Sequence, residues 1–185
     1  MAKLEAIRSL RKIDFAAIVI AAILWAILTS YISSMNTPFS FVLSLFMTAF
    51  FASFVVLMVG RLGSAFLFYT IGAIISLPFD TMSSLGIFKF PILMAAGLVF
   101  ELIFLLLKLE VQNIPMDVVF GAAISNFLIP FMMIITIQAQ SQLMPFVWNL
   151  ALTSFIAGLM GSVISFLLWY NIRHLKPIIN FEYYV

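Results

Sequence analysis

One carboxyl stands out in this chain for the company it keeps. Glu101 lies inside the apolar stretch GLVFELIFLLLK, Gly97 to Lys108, with no cation within a helical turn of it. It falls about ten residues into its apolar run, roughly 15 Å deep at 1.5 Å per helical residue. A carboxylate near the middle of a bilayer costs at least about 2.5 kcal/mol on insertion scales, so it belongs in a bundle interior or an aqueous cavity. Gly97 one turn away and Met94 two turns away leave a thin face on which another helix can settle. Two roles follow: a ligand or proton site, or a hydrogen bond across helices that holds a bundle together.

Three further residues have the chemistry of a binding site. Asn126, beside Ser125 in GAAISNFLIP, precedes Pro130 by one turn. Pro130 lacks the N–H that would bond the residue 126 carbonyl and should kink the helix, exposing a polar wall. Trp148 and Asn149, with Thr153 a turn deeper, offer an aromatic plane, an amide and a hydroxyl at one mouth. Against this stand an ordinary interhelical amide bond for Asn126 and an interfacial tryptophan with a helix-start amide for Trp148 and Asn149. Catalytic patterns are missing. The single histidine, His174, has no carboxylate cluster nearby, and there is no cysteine. No H-E-x-x-H, G-x-S-x-G or phosphate-loop signature occurs, so neither a metal centre, an enzyme, a cofactor site nor ATP hydrolysis by this chain alone is expected. No basic-aromatic patch speaks for nucleic acid.

These residues must be positioned by long apolar elements. Of the 185 residues, 65% are hydrophobic and 9% charged, too little polar surface to cover a soluble domain of this size. The expected class is all-α: a single polytopic membrane domain of six transmembrane helices. The spans are about Phe15–Ser33, Phe39–Gly60, Leu62–Leu77, Phe90–Leu107, Met116–Gln138 and Met144–Tyr170, each near the roughly 20 residues that cross a bilayer, the third being the shortest. Pro38, Pro78, Pro91, Pro115 and Pro145 punctuate their ends. The basic N-terminus is followed by too long an apolar run for a signal peptide, so the first run is kept as a span.

With the N-terminus inside, Lys3, Arg8, Arg11, Lys12, Arg61, Lys108, Arg173 and Lys176 face the cytoplasm and only Lys89 faces out. That asymmetry places both termini in the cytoplasm. Trp148, Trp169, Tyr31 and Tyr170 then fall near the interfaces. The outer connection PFDTMSSLGIFKF, with Asp80 and Lys89, is longer than neighbouring helices require and suits a lid; an ordinary solvated connection is the competing reading and the default for any single residue in it. A second outer connection carries Gln138, Gln140, Ser141 and Gln142. Small residues mark close helix approach: Ala17 and Ala21, or Ala22 and Ala26, in the first span, and Ser154, Gly158, Gly161, Ser162 and Ser165 in the last. Internal packing accounts for the last stripe. The first could also receive a partner subunit.

Six spans in a short chain, alanine pairs on the first, a short third and KFPILMAAGLVFELIF opening the fourth together resemble the substrate-binding membrane subunit (S component) of energy-coupling factor importers. The resemblance is one of pattern and covers nearly the whole chain. It implies capture of a vitamin or related micronutrient near the outer face of the cell membrane, in a pocket built by helices four to six and the outer loops. It also implies docking of the first-helix alanines on a transmembrane coupling subunit that carries two cytoplasmic ATPases. Glu101, Asn126, Trp148 and Asn149 would then contact substrate, and Ala17, Ala21, Ala22 and Ala26 supply the docking pair. Trp148 would stack and the asparagines would hydrogen bond, while Glu101 would meet a cationic or amine-bearing group. The alternatives are a small proton-coupled secondary transporter that works through Glu101, and a structural membrane protein.

Overall fold

The computed structural model describes residues 10–35, 37–79, 86–107, 110–111, 114–137 and 144–173. The connections carrying Asp80 and Gln138 to Gln142, the N-terminal basic residues Lys3 and Arg8, Lys108, and the tail from His174 lie outside the described residues. Six α-helices account for almost all of the rest: α1 (Lys12–Ser34), α2 (Pro38–Val59), α3 (Ser64–Ser76), α4 (Lys89–Leu107), α5 (Met116–Ile137) and α6 (Met144–Ile172). A 3-10 turn, Gly86–Phe88, leads into α4, and a two-residue antiparallel pair, β1 (Glu110–Val111) and β2 (Ile114–Pro115), joins α4 to α5.

Local sequence sets the helix ends. In α1, Asp14 at the third helical position accepts the Arg11 backbone N–H at 2.9 Å and so satisfies a donor the helix cannot use itself. Pro38 opens α2, where its missing N–H costs nothing. Gly60 closes α2 in the left-handed region at φ 62°, its N–H returning to the Val56 carbonyl at 2.8 Å. Three residues later Gly63, at φ 89°, turns the chain into α3. Asp14 also meets Arg61 of this turn at 3.3 Å, both side chains buried, which ties the start of α1 to the α2–α3 corner.

Five helices are long and apolar enough to cross a membrane, and α3 is a shorter apolar one. The expected third span, Leu62–Leu77, contracts to the 13 residues of α3 because two left-handed glycines hold its entry in a turn. At 1.5 Å per residue it is about 20 Å long, against roughly 30 Å of hydrocarbon. The helices pack in the cyclic order α1, α2, α6, α5, α4, α3 and back to α1, with α2 also against α3 and α5. Their outward faces remain apolar: Leu106 is 78% exposed, Ile135 75% and Ile20 59%. Helices apolar on both faces, inward and outward, suit a membrane-embedded protein, since in water such a surface would drive aggregation.

Small residues set the closest contacts. A β-carbon on Gly97 of α4 would lie 3.1 Å from the Phe66 Cα of α3. One on Gly158 would lie 2.8 Å from the Ala123 Cα of α5, and one on Gly161 only 2.6 Å from the Phe46 carbonyl oxygen of α2. The α6 stripe therefore packs internally, as expected. Gly161 against Phe46 and Phe50, with Trp169 edge-on to Phe54, sets α2 and α6 running in the same direction.

Candidate functional site

Glu101 points inward, 8% exposed, and finds α3. Its Oε1 accepts the backbone N–H of Ala65 at 2.8 Å and of Phe66 at 3.3 Å. The residue at the N-cap of α3 is Gly63, which has no side chain to bond these first-turn amides. A carboxyl oxygen from the neighbouring helix replaces the missing cap, at the positive end of the helix dipole. Glu101 is level with the first turn of α3, beside the α2–α3 corner. Its second oxygen, Oε2, is buried and has no hydrogen-bond partner among the described residues.

The other end of α3 shows the mirror arrangement. Lys89, expected as the sole outer-loop cation, is instead the first residue of α4 and only 1% exposed. Its ammonium donates to the Ser76 carbonyl at 3.0 Å and to the Phe79 carbonyl. Those carbonyls belong to the last turn of α3 and the residues just after it, the negative end of the dipole.

At mid-bundle a second polar set closes on itself. From α1, the Trp25 indole Nε1–H donates to Thr48 Oγ1 of α2 at 3.0 Å, and Thr48 passes its own proton to the Ser44 carbonyl at 2.7 Å. From α5, Asn126 Nδ2 donates to the Leu45 carbonyl of α2 at 2.8 Å. Its neighbour Ser125 lies 3.4 Å from the Tyr69 hydroxyl of α3. Tyr69 stands edge-on to Phe68, which stands edge-on to Trp25, and the circuit is complete. A β-carbon on Gly72 would meet the Trp25 ring at 2.9 Å, so α3 approaches the indole only because that position is glycine. The residues of this ring are almost wholly buried. α5 stays helical through Pro130, and Asn126 Oδ1 has no partner among the described residues. Of the two ends of the amide only the NH₂ can donate to the Leu45 carbonyl, so the bare atom is the acceptor.

The four residues expected to share a pocket are not brought together. Glu101 faces α3 and Asn126 faces α2. Trp148 is 53% exposed at the start of α6, in an aromatic group with Phe127 and Phe131, and Asn149 is exposed beside it. Thr153 spends its hydroxyl on the Asn149 carbonyl at 2.8 Å. Of the four alanines expected to dock a partner, Ala21, Ala22 and Ala26 are buried against the protein's own helices, and Ala17 is half-buried.

Sequence reading does not single out Trp25, Thr48, Tyr69 or the capping role of Lys89. One signal is available: Trp25 follows Ala22 and precedes Ala26 and Thr29, a stripe that marks an inward face rather than an interfacial anchor. Among the described residues no three His, Cys, Asp or Glu side chains gather as metal ligands. No protein-family model matches the chain, and neither a curated protein nor a solved structure matches it.

Proposed function

We propose that this chain is the substrate-binding membrane subunit of an importer of the energy-coupling factor kind. In this reading it crosses the cell membrane six times with both termini in the cytoplasm, captures a small micronutrient from outside, and docks on a transmembrane coupling subunit that carries two ATPases. The observation that carries the reading is the bare Oδ1 of Asn126, fully buried within a ring of polar side chains from four helices. An unsatisfied buried acceptor costs about 1–3 kcal/mol, and a donor group on a ligand would remove that cost. An amine- or hydroxyl-bearing molecule is therefore the substrate class.

Trp148 and Asn149, exposed at the start of α6, form the approach rather than the floor of the site. Glu101 contributes through α3, which it caps. The basic residues on one side support the orientation. A six-span count is supported by the two caps on α3, which satisfy its end groups even though it is short. For the coupling subunit, the outward face of α1 next to Ala17, bearing Ile20, Ile23 and Ile27, is the surface left open once Ala22 and Ala26 are used internally.

The test is native mass spectrometry of the chain purified from its own membranes, beside the N126L variant. The expected result is a small donor-bearing molecule retained by the wild type and lost from N126L. Co-purification with a coupling subunit and ATPases, weakened by Ala17→Trp in a folded protein, would extend it. Uptake driven by an ion gradient in vesicles containing this chain alone would overturn the reading in favour of a secondary transporter.

A further inference from the structure

We infer that Glu101 and Lys89 are a matched pair of positioning residues that fix the height of α3 in the bundle and with it the Tyr69 side of the polar ring. Any consequence for ligand binding rests on the reading above; the capping and the placing of the ring do not. The two residues lie on one helix, at positions 89 and 101, and so about 18 Å apart along α4. The helix they hold, α3, is about 20 Å long by the same measure and runs antiparallel. The spacing of the two side chains therefore matches the length of the helix they close, with the acid at the positive end of its dipole and the base at the negative end.

A helix shorter than the hydrocarbon layer leaves backbone N–H and C=O groups without water, where each must find a partner inside the protein. Here the partners are supplied across the α3–α4 interface, and Gly97 lets the two backbones close to contact between the caps. Sliding α3 by one turn would break bonds at both ends together. Phe68, Tyr69 and Gly72, the residues α3 brings to Trp25 and Ser125, stand between those caps and are held at one level by them.

The experiment uses the full chain in lipid nanodiscs, with E101L, E101Q, K89M and K89R, followed by hydrogen exchange read by mass spectrometry. E101L is expected to speed exchange in the first turn of α3 by about tenfold or more, with the last turn unchanged. K89M is expected to do the reverse, loosening residues 76–79. E101Q should restore protection, because its carbonyl oxygen can accept the same two amides, and K89R should restore the other end. Should E101L fail to fold, the contrast between K89M and K89R carries the test. The ring is read through Trp25 as sole tryptophan in a W148F/W169F background. Its emission should move to longer wavelength in E101L and return in E101Q. Unchanged first-turn exchange in E101L, or E101Q as damaging as E101L, overturns the capping role. Altered exchange with Trp25 emission unmoved overturns the positioning of the ring. Neither result bears on whether a ligand is retained, which mass spectrometry decides separately.

Discussion

The ends of α3 and the middle of the bundle solve the same problem with different chemistry. Both regions keep polar groups inside apolar helices. At the ends of α3 the groups are ionisable, Glu101 and Lys89, and their partners are backbone amides and carbonyls of its terminal turns, the Ser76 carbonyl also accepting the Phe79 N–H at 3.1 Å. In the mid-bundle ring the groups are neutral: an indole, two hydroxyls, a phenol and an amide. The difference teaches where a membrane bundle can place charge. A helix terminus brings several unsatisfied dipoles of one sign to a point, and a full charge is balanced there. In the middle of a helix the backbone is already paired, so only a neutral group with one or two bonds to make is accommodated.

Moving a charge from the first region to the second should therefore have the largest effect. N126D replaces an amide by a carboxylate that can no longer donate to the Leu45 carbonyl and meets no helix end. Loss of about 3–5 kcal/mol is expected, the usual size for an uncompensated buried charge, read as a fall in thermal midpoint in detergent. By contrast, E101Q keeps an acceptor oxygen where the backbone donors remain and should cost no more than about 1–2 kcal/mol. If N126D proves milder than E101Q, the contrast between the regions is wrong.

A smaller effect is expected within the ring. T48V keeps the shape of the side chain but removes the acceptor of the Trp25 indole N–H, which is buried with it. About 1–2 kcal/mol should be lost, with a blue shift in Trp25 emission in the single-tryptophan background. An unshifted spectrum would place the indole N–H on some other acceptor.

The two regions also differ in how far they can be read from sequence. The existence and order of the helices are legible because apolar runs of about 20 residues between prolines and glycines leave little choice. An inward-facing Glu101 is legible too, from Gly97 one turn before it. Its partner is not, since α3's need for a cap arises from Gly63, whose left-handed turn acts far earlier in the chain. Lys89 reads as an outer-loop cation because it follows a polar stretch, yet its long stem lets the ammonium return to the α3 carbonyls while the chain enters α4. The ring is harder still. Its members are single Trp, Thr, Tyr and Ser residues on four helices, and a hydroxyl in a membrane helix is most often satisfied by its own preceding turn, as Thr29 and Ser154 are. Only the packing order of the helices makes Trp25, Thr48, Tyr69 and Asn126 neighbours.

The smallest effect tests the direction of one bond in the ring. Ser125 has a single hydroxyl proton, and it goes to the Ala122 carbonyl at 3.0 Å. With that proton kept on its own helix, the 3.4 Å contact with Tyr69 runs from the phenol to Ser125 Oγ. Removing the acceptor and removing the donor are not equivalent. S125A leaves a buried phenol O–H with nothing to bond, whereas Y69F leaves a serine oxygen whose proton is still used on its own helix. S125A should cost about 1 kcal/mol and Y69F about half of that, while the S125A/Y69F double variant should recover most of the S125A loss. Thermal midpoints of the three variants in the same detergent decide it. A Y69F penalty larger than that of S125A would mean that Ser125 is the donor and that the ring is bonded in the opposite sense.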